Sequence, residues 1–371
     1  MDKNTRFSSF GKWVAPINMK LFNEQVEKYH LDKYTKKLKT LSFTKLFLYA
    51  HLNQMESLHD LNTALADEGL QKELGFKSIS VSQLSRKNKS MDPEFLSTIF
   101  LELVRLIHLK TDKRKRMNPI KIIDSSTMPL NLTRCQWAHF RKSKAGVKLH
   151  LRLVYVDQEL VYPDKAIITN AAEHDRNQLE ILVDDKDAMY VFDRGYVDYE
   201  RFDRYTDDGV FFLSRLKKNA VIREIETFDL PEDSSVTSNK MAYIGTTQKR
   251  CDNVFRIIET VDSKGQLLRL ITNRFDLTAD EIGDLYRSRW AIELFFKWLK
   301  QHVKIKTFFG YSEEAVHNQL FLALITYCLN VLIQLETKSK QTLLQITRWL
   351  KRTIWRPARV WLSYIVPSGI P

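Results

Sequence analysis

The 371 residues are 44% apolar, 11% aromatic and 28% charged with a mean hydropathy of −0.33, a balance that excludes disordered, collagen-like and transmembrane classes and leaves room for more than one domain. Lys and Arg exceed Asp and Glu by 58 − 45 = 13, and the pI near 9.4 points to a polyanion such as nucleic acid, with a generally basic surface as the alternative. Cys135, Cys251 and Cys328 form no C-x-x-C pair, and no P-loop, G-x-G-x-x-G or H-E-x-x-H pattern occurs, so zinc-knuckle, nucleotide-hydrolysing, Rossmann and zincin chemistry lose their supports.

The opening MDKNTRFSSFGKW has no apolar h-region, which predicts an intracellular, cytoplasmic protein. Residues 1–117 read as a helical domain with apolar periodicity of three and four (Leu38, Leu41, Leu46). Within it, Gly75 precedes a segment, Ser80 to Asn88, rich in Ser, Gln, Arg, Lys and Asn. That composition suits a recognition helix that reads DNA, or a solvated helix in a bundle. The domain ends on the basic run Lys110 to Arg116, a linker plausible along a DNA path.

From residue 118 to 216 the period changes to that of strands: Ile120 to Ile123, Val147 to Val156, Lys165 to Thr169, Ala188 to Phe192 and Gly209 to Leu213, with helices between the later ones. A meander followed by alternation predicts an α/β fold with a mixed sheet covered by helices. Residues 217–274 are polar and strand-like, a β-rich insertion. Thr278 and Glu281 then form a capping box that starts a helix running to about Val303, within a segment 275–310. The C-terminal region 311–371 is helical, and Leu320 to Leu335, interrupted by Thr326, Asn330 and Gln334, reads as a buried core helix.

On the capped helix, advancing 100° per residue from Tyr286 puts Arg289 at about 300°, Glu293 at about 340° and Lys300 at about 320°, one polar stripe bordered by Lys297. Apolar residues on both flanks predict that the stripe faces a cleft, either as a binding site or as a salt-bridged network of Glu293 with Arg289 and Lys297. Two further carboxylates follow apolar strands: Asp124 after Ile123, and Asp193 after Phe192 and before Arg194. Each is a turn residue or a ligand. If all three acids converge, their oxygens suit two divalent metals, Mg2+ above all, for phosphodiester cleavage.

Asp124 in IIDSST, Asp193 in VFDRGY and Tyr286-x2-Arg289-x3-Glu293-x6-Lys300 resemble the DDE triad and Y-R-E-K signature of bacterial insertion-sequence transposases, specifically the insertion-sequence-four family, along essentially the whole chain. The resemblance implies a ribonuclease-H-like core, with Asp124, Asp193 and Glu293 as catalytic metal ligands for two Mg2+ ions, Mn2+ being able to substitute. It implies that Tyr286, Arg289 and Lys300 hold DNA phosphates, with Lys297 and Arg194 as further DNA contacts; since residues 217–274 contain no Trp, stacking on an unpaired base falls to Trp290, to a Phe or Tyr, or to no residue. Lys148, His150 and His174-Asp175-Arg176 resemble other recurrent family positions. The expected function is cleavage at the element's terminal inverted repeats and strand transfer into target DNA. A homodimer on DNA, associated with the nucleoid, is expected. The rivals are a ribonuclease-H-like nuclease or resolvase without strand transfer, and a catalytically silent DNA-binding relative.

Overall fold

The computed structural model describes residues 7–111, 119–246, 249–262, 265–302 and 307–367. The chain forms two compact units, one of Met1–Lys113, Met128–Val147 and Phe296–Pro371, the other of Arg114–Thr127 and Lys148–Phe295.

The first unit is helical around Glu313–Thr337, in which every residue from Ala315 to Ile333 except His317 is buried. This is the one described helix long and apolar enough to cross a membrane, but 78% of its apolar window is buried inside the protein, as a core helix requires. Polar side chains on it bond to neighbouring segments. Asn330 Oδ1 accepts from Trp13 Nε1 at 2.9 Å, and Asn318 Nδ2 donates to the carbonyls of Asn88 and Met91 at 3.1 and 2.9 Å. Helix Val81–Ser90 begins with a capping box between Ser80 and Gln83 and follows a turn at Gly75, whose φ is +78°. Only part of its polar set faces out. Lys87 and Asn88 are buried, with Lys87 Nζ donating to the Leu31 carbonyl at 2.6 Å and to Thr40 Oγ1 at 2.9 Å, so Ser82, Gln83, Ser85, Arg86, Lys89 and Ser90 remain as the exposed face. Most of the basic run Lys110 to Arg116 lies outside the described residues.

The strands in chain order are β1 Ile120–Leu130, β2 His139–Arg141, β3 Lys144–Tyr155, β4 Val161–Asn170, β5 Met189–Phe192, β6 Phe211–Arg215, β7 Ile222–Thr227, β8 Val236–Thr246, β9 Lys249–Arg250, β10 Phe255–Val261 and β11 Leu267–Thr272. In the second unit they hydrogen-bond in the order β3-β1-β5-β6-β11-β10-β8-β7, with β4 on β3. β1, β5 and β6 are mutually parallel, and every pairing from β6 outward is antiparallel. The five strands β4-β3-β1-β5-β6 have the order of a ribonuclease-H-like core, so the fold is the expected mixed α/β arrangement. The strands of 217–274 do not stand apart from that core. β11 pairs directly with β6, and Phe255 of β10 packs 5.8 Å from Phe212 of β6, which stacks in turn on Phe202 at 4.4 Å. A strand with an apolar face finds its burial by extending an existing sheet edge, and here that edge is β6.

Candidate active site

Asp124 and Asp193 reach one end of the sheet by strand register. In the parallel pair, Ile123 lies opposite Phe192, so the next residue on each strand is an aspartate, with backbones about 4.8 Å apart. β1 itself runs on to Leu130, and it is the pairing with β5 that stops at Ile123, which frees the Asp124 side chain at the carboxyl end of the parallel strands. Such ends are where open α/β sheets place their sites.

Glu293 comes from the helical segment set by the capping box, which forms as its spacing predicts. Thr278 Oγ1 accepts from the Glu281 amide at 3.2 Å, and Glu281 Oε2 accepts from the Thr278 amide at 2.7 Å. The segment is two helices, Ala279–Ser288 and Trp290–His302, joined at Arg289. There the Arg289 amide donates to the Tyr286 carbonyl at 3.1 Å and the Ile292 amide to the Arg289 carbonyl at 3.2 Å. These are the i→i+3 bonds of a tighter turn, which a regular 100° wheel does not anticipate. One flank of the stripe is buried as expected through Ile292, Phe295, Phe296 and Leu299. The other is open at Leu294, which is 52% exposed, while Ala291 and Trp298 are half-buried.

Arg289 bridges the acids. Its Nη1 lies 3.6 Å from Asp124 Oδ2, and its Nη2 is hydrogen-bonded to Glu293 Oε1. Its guanidinium also sits over the Tyr286 ring at 5.8 Å. Burial pushes the Asp124 carboxyl from 3.8 to about 6. The Ser125 amide, donating at 2.7 Å, and Arg289 act against that rise, while the charges of Asp193 and Glu293 add to it. Burial likewise raises the Tyr286 phenol to about 12, so at neutral pH it is a hydrogen-bond donor.

Beneath the two aspartates lies a network for which the sequence supplied residues but no roles. Asp175 Oδ1 accepts from Ser125 Oγ at 2.7 Å and pairs with Lys148 Nζ at 3.1 Å, while Lys148 Nζ also donates to the Glu173 carbonyl at 2.7 Å. Tyr196 is 1% exposed, and burial, with Asp124, Asp175 and Asp193 nearby, holds its hydroxyl well above the ordinary phenol range. His150 is fully buried, hydrogen-bonded through Nε2 to Thr169 Oγ1 at 2.9 Å and kept neutral because burial lowers it to about 4. Adjacency in IIDSST and VFDRGY was the available clue for Ser125 and Tyr196.

The second unit therefore gathers Asp124, Asp193, Glu293, Arg289 and Tyr286. Lys297 and Lys300 lie one and two turns beyond Glu293 on the same helix, but their contacts place them in the first unit. Arg194 is exposed on the short 3-10 turn after Asp193, and His174 and Arg176 are exposed beside Asp175. Trp290 is not brought to the acids. It lines a cavity of about 990 Å3 with Ile120 and Met189, the first residues of β1 and β5, at the end of those strands opposite Asp124 and Asp193. Among the described residues no three His, Cys, Asp or Glu side chains stand close enough together to hold one ion, and the Arg289 guanidinium occupies the space between two of the three acids. The donor set nonetheless suits a hard divalent cation. It consists of carboxylate oxygens only, and Asp193 and Glu293 stand near enough for their charges to act on Asp124.

A ribonuclease-H-like sheet with acids at the carboxyl ends of its parallel strands, in a strongly basic chain, defines a nucleic-acid-processing enzyme. Residues 115–329 match the family described as Transposase DDE domain, and residues 5–77 match a Domain of unknown function (DUF4372). The chain is 32% identical to a probable transposase for insertion sequence element IS5377 of Geobacillus stearothermophilus, over 72% of this chain and 71% of that protein. It is 30% identical to a putative transposase, y4zB, of Sinorhizobium fredii, over 62% of this chain and 66% of that one. A solved piggyBac transposase synaptic complex with hairpin DNA aligns over 97% of this chain and 85% of its own, at a TM-score of 0.48 and 9% identity. The chain belongs to the DDE transposase family: it is an insertion-sequence transposase, a metal-dependent enzyme that acts on DNA.

Proposed function

We propose that this transposase is of the insertion-sequence-four type and works by cut and paste, hydrolysing DNA at the terminal inverted repeats and then directing the freed 3′-OH onto target DNA in the same site. The observation that carries this reading is the meeting of Asp124 and Glu293 at Arg289, with Asp193 at the neighbouring register position.

Asp124, Asp193 and Glu293 would hold two Mg2+ ions, with Mn2+ able to substitute. Bound there, the cations supply activation of the attacking oxygen and stabilisation of the leaving one. The remaining steps fall to the chain itself. Arg289 gives a planar pair of donors to a phosphate, Tyr286 a neutral donor and Lys300 a point charge, and together they retain the end between cleavage and transfer. Lys297 and Arg194 extend that grip, while Trp290, facing the other end of the strands, is left out of it. End recognition falls to residues 1–117 in this reading, which the exposed polar face of Val81–Ser90 supports. Because two ends must be paired, the working form is a homodimer on DNA, in the cytoplasm with the nucleoid.

The test is to incubate the full chain with the inverted repeats flanking its coding sequence and Mg2+, and to map the strand ends. Expected are a 3′-OH at the element end and joined products, both abolished by Asp193→Ala while end binding persists. Nicking without joining would favour a nuclease, and cutting by Asp193→Ala would remove that residue from the site.

A further inference from the structure

The parallel register that sets Asp193 beside Asp124 also sets a cation on its other side. Phe192 of β5 lies opposite Ser214 of β6, so Asp193 and Arg215 are the next register neighbours, with backbones about 4.8 Å apart. Arg215 is near enough to Tyr286 to act on its phenol through its charge. Past Arg215 the chain continues through Lys217 and Lys218, and the Leu216 amide donates to the Arg269 carbonyl at 2.8 Å, which draws β11 alongside. Arg215, Lys217, Lys218 and Arg269 line a cavity of about 530 Å3.

The charge of this cavity is not balanced from within. Arg269 Nε donates to Glu259 at 2.7 Å, but among the described residues no ion pair engages Arg215, Lys217 or Lys218. Cations of one sign around a concave wall repel each other and raise the local anion potential, an arrangement whose stable complement is an anion. The anion must also belong to something that passes Asp193, because the line of cations begins at its register neighbour. From Arg215 to Lys217 two residues of extended chain span about 6.6 Å, on the scale of one nucleotide of backbone.

We propose that this cavity is a phosphate subsite for the DNA strand leading away from the scissile bond past Asp193. Arg215 receives the backbone phosphate next to the one cleaved, and Lys217, Lys218 and Arg269 receive the following one. The assignment rests on the reading of Asp193 as part of the catalytic site. Glu259 acts as a counter-charge that limits the pull of Arg269.

The test uses the full chain and a mixed-sequence 30-base-pair DNA duplex, with affinity measured across a salt series. Lys217→Gln with Lys218→Gln should lower affinity about tenfold near physiological salt and reduce the log–log salt slope by about 1 to 2, since each neutralised phosphate contributes about 0.9. Glu259→Gln should do the reverse, tightening binding several-fold, which a merely structural role for the Arg269–Glu259 pair does not produce. Lys186→Gln, at an exposed lysine 3.3 Å from Asp208, is the comparison for removing a surface charge. A double-variant loss no greater than twice that of Lys186→Gln, or weaker binding by Glu259→Gln, overturns the subsite while leaving the transposase reading intact. A folded wild-type chain that binds no DNA overturns both.

Discussion

Arg289 places one guanidinium against two acids that are 169 residues apart in sequence, 3.6 Å from Asp124 Oδ2 and hydrogen-bonded to Glu293 Oε1. Because a guanidinium presents its donors in a rigid fork, this contact fixes the separation of the two carboxylates as well as part of their charge. Arg289→Ala should therefore reduce joining of a pre-cleaved end by on the order of 100-fold, since a displacement of ~1 Å at a reacting centre costs about that much. First-strand nicking should suffer less, because joining alone needs the cut end retained and realigned. Arg289→Lys keeps the charge but loses the fork, and should recover end binding more than joining. Equal losses in the nicking and joining assays would make the contact a structural salt bridge only.

The raised Asp124 carboxyl gives a second expectation, for the metal-free protein. Its pKa is about 6 in the folded chain against 3.8 ordinarily, so the folded state binds more protons between those values and stability falls as pH rises through that window. The penalty at pH 7.5 is at most about 3 kcal/mol. Asp124→Asn should thus be more stable than wild type in urea at pH 7.5 and nearly equal to it at pH 4. Millimolar Mg2+ should raise the melting temperature of wild type but not of the variant. Equal pH dependence in the two proteins would show that Asp124 carries its charge without strain.

How much of this was legible depended on sequence distance. The capping box of Thr278 and Glu281 is a four-residue pattern whose bonds form between neighbours, so it reads directly. Asp124 and Asp193 each stand one residue beyond an apolar strand, but their adjacency is a property of parallel pairing, which a resemblance can imply and local patterning cannot. The tightened turn at Arg289 has no local marker, because Arg289 keeps helical backbone angles of −54° and −27° while its hydrogen bonds shift. Lys87 looks solvent-facing by type, and its burial is decided by Asp32, Thr40 and the backbone of Leu31, more than 45 residues away. The joining of β11 to β6 was likewise illegible. It closes a loop of about fifty residues, and nothing in either strand names its partner.

Asp175 links the strand of Asp124, through Ser125, to Lys148, and its carboxylate lies near the turn after Asp193, where a Cβ added to Gly195 would come within 3.9 Å of Oδ2. It should act as a positioning residue, holding the two aspartates without touching DNA. Asp175→Ala should lower the cleavage rate about tenfold or more with end affinity unchanged, and Asp175→Asn, which still accepts from Ser125 and Lys148, should restore most of it. A drop in affinity with an unchanged rate constant would place Asp175 on the DNA instead.

The strands of 217–274 also hold the start of the glutamate helix, through Arg256. This side chain is 6% exposed and has no carboxylate partner within salt-bridge distance among the described residues. Its Nε donates to Asn239 Oδ1 of β8 at 2.9 Å, and its Nη1 reaches the carbonyls of Arg274, at 3.4 Å, and of Leu277. Burial lowers its pKa from the ordinary value, opposed by the charge of Asp276, so these neutral acceptors carry most of the compensation for a buried cation. Leu277 immediately precedes Thr278, which ties β8 and β10 to the N-terminus of the helix that leads to Tyr286, Arg289 and Glu293. Arg256→Leu preserves the apolar packing of the stem but orphans Asn239 and two carbonyls, a cost of about 3 kcal/mol in this unit. Hydrogen exchange should report it locally, the amides of Ile282 to Ser288 losing protection before those of β5 and β6. Cleavage should fall in the same variant because Glu293 loses its fixed approach to Asp124. If Arg256→Leu leaves exchange across Ala279–Ser288 unchanged, the outer strands support the sheet alone, and the helix takes its position from the packing of Ile282 and Tyr286.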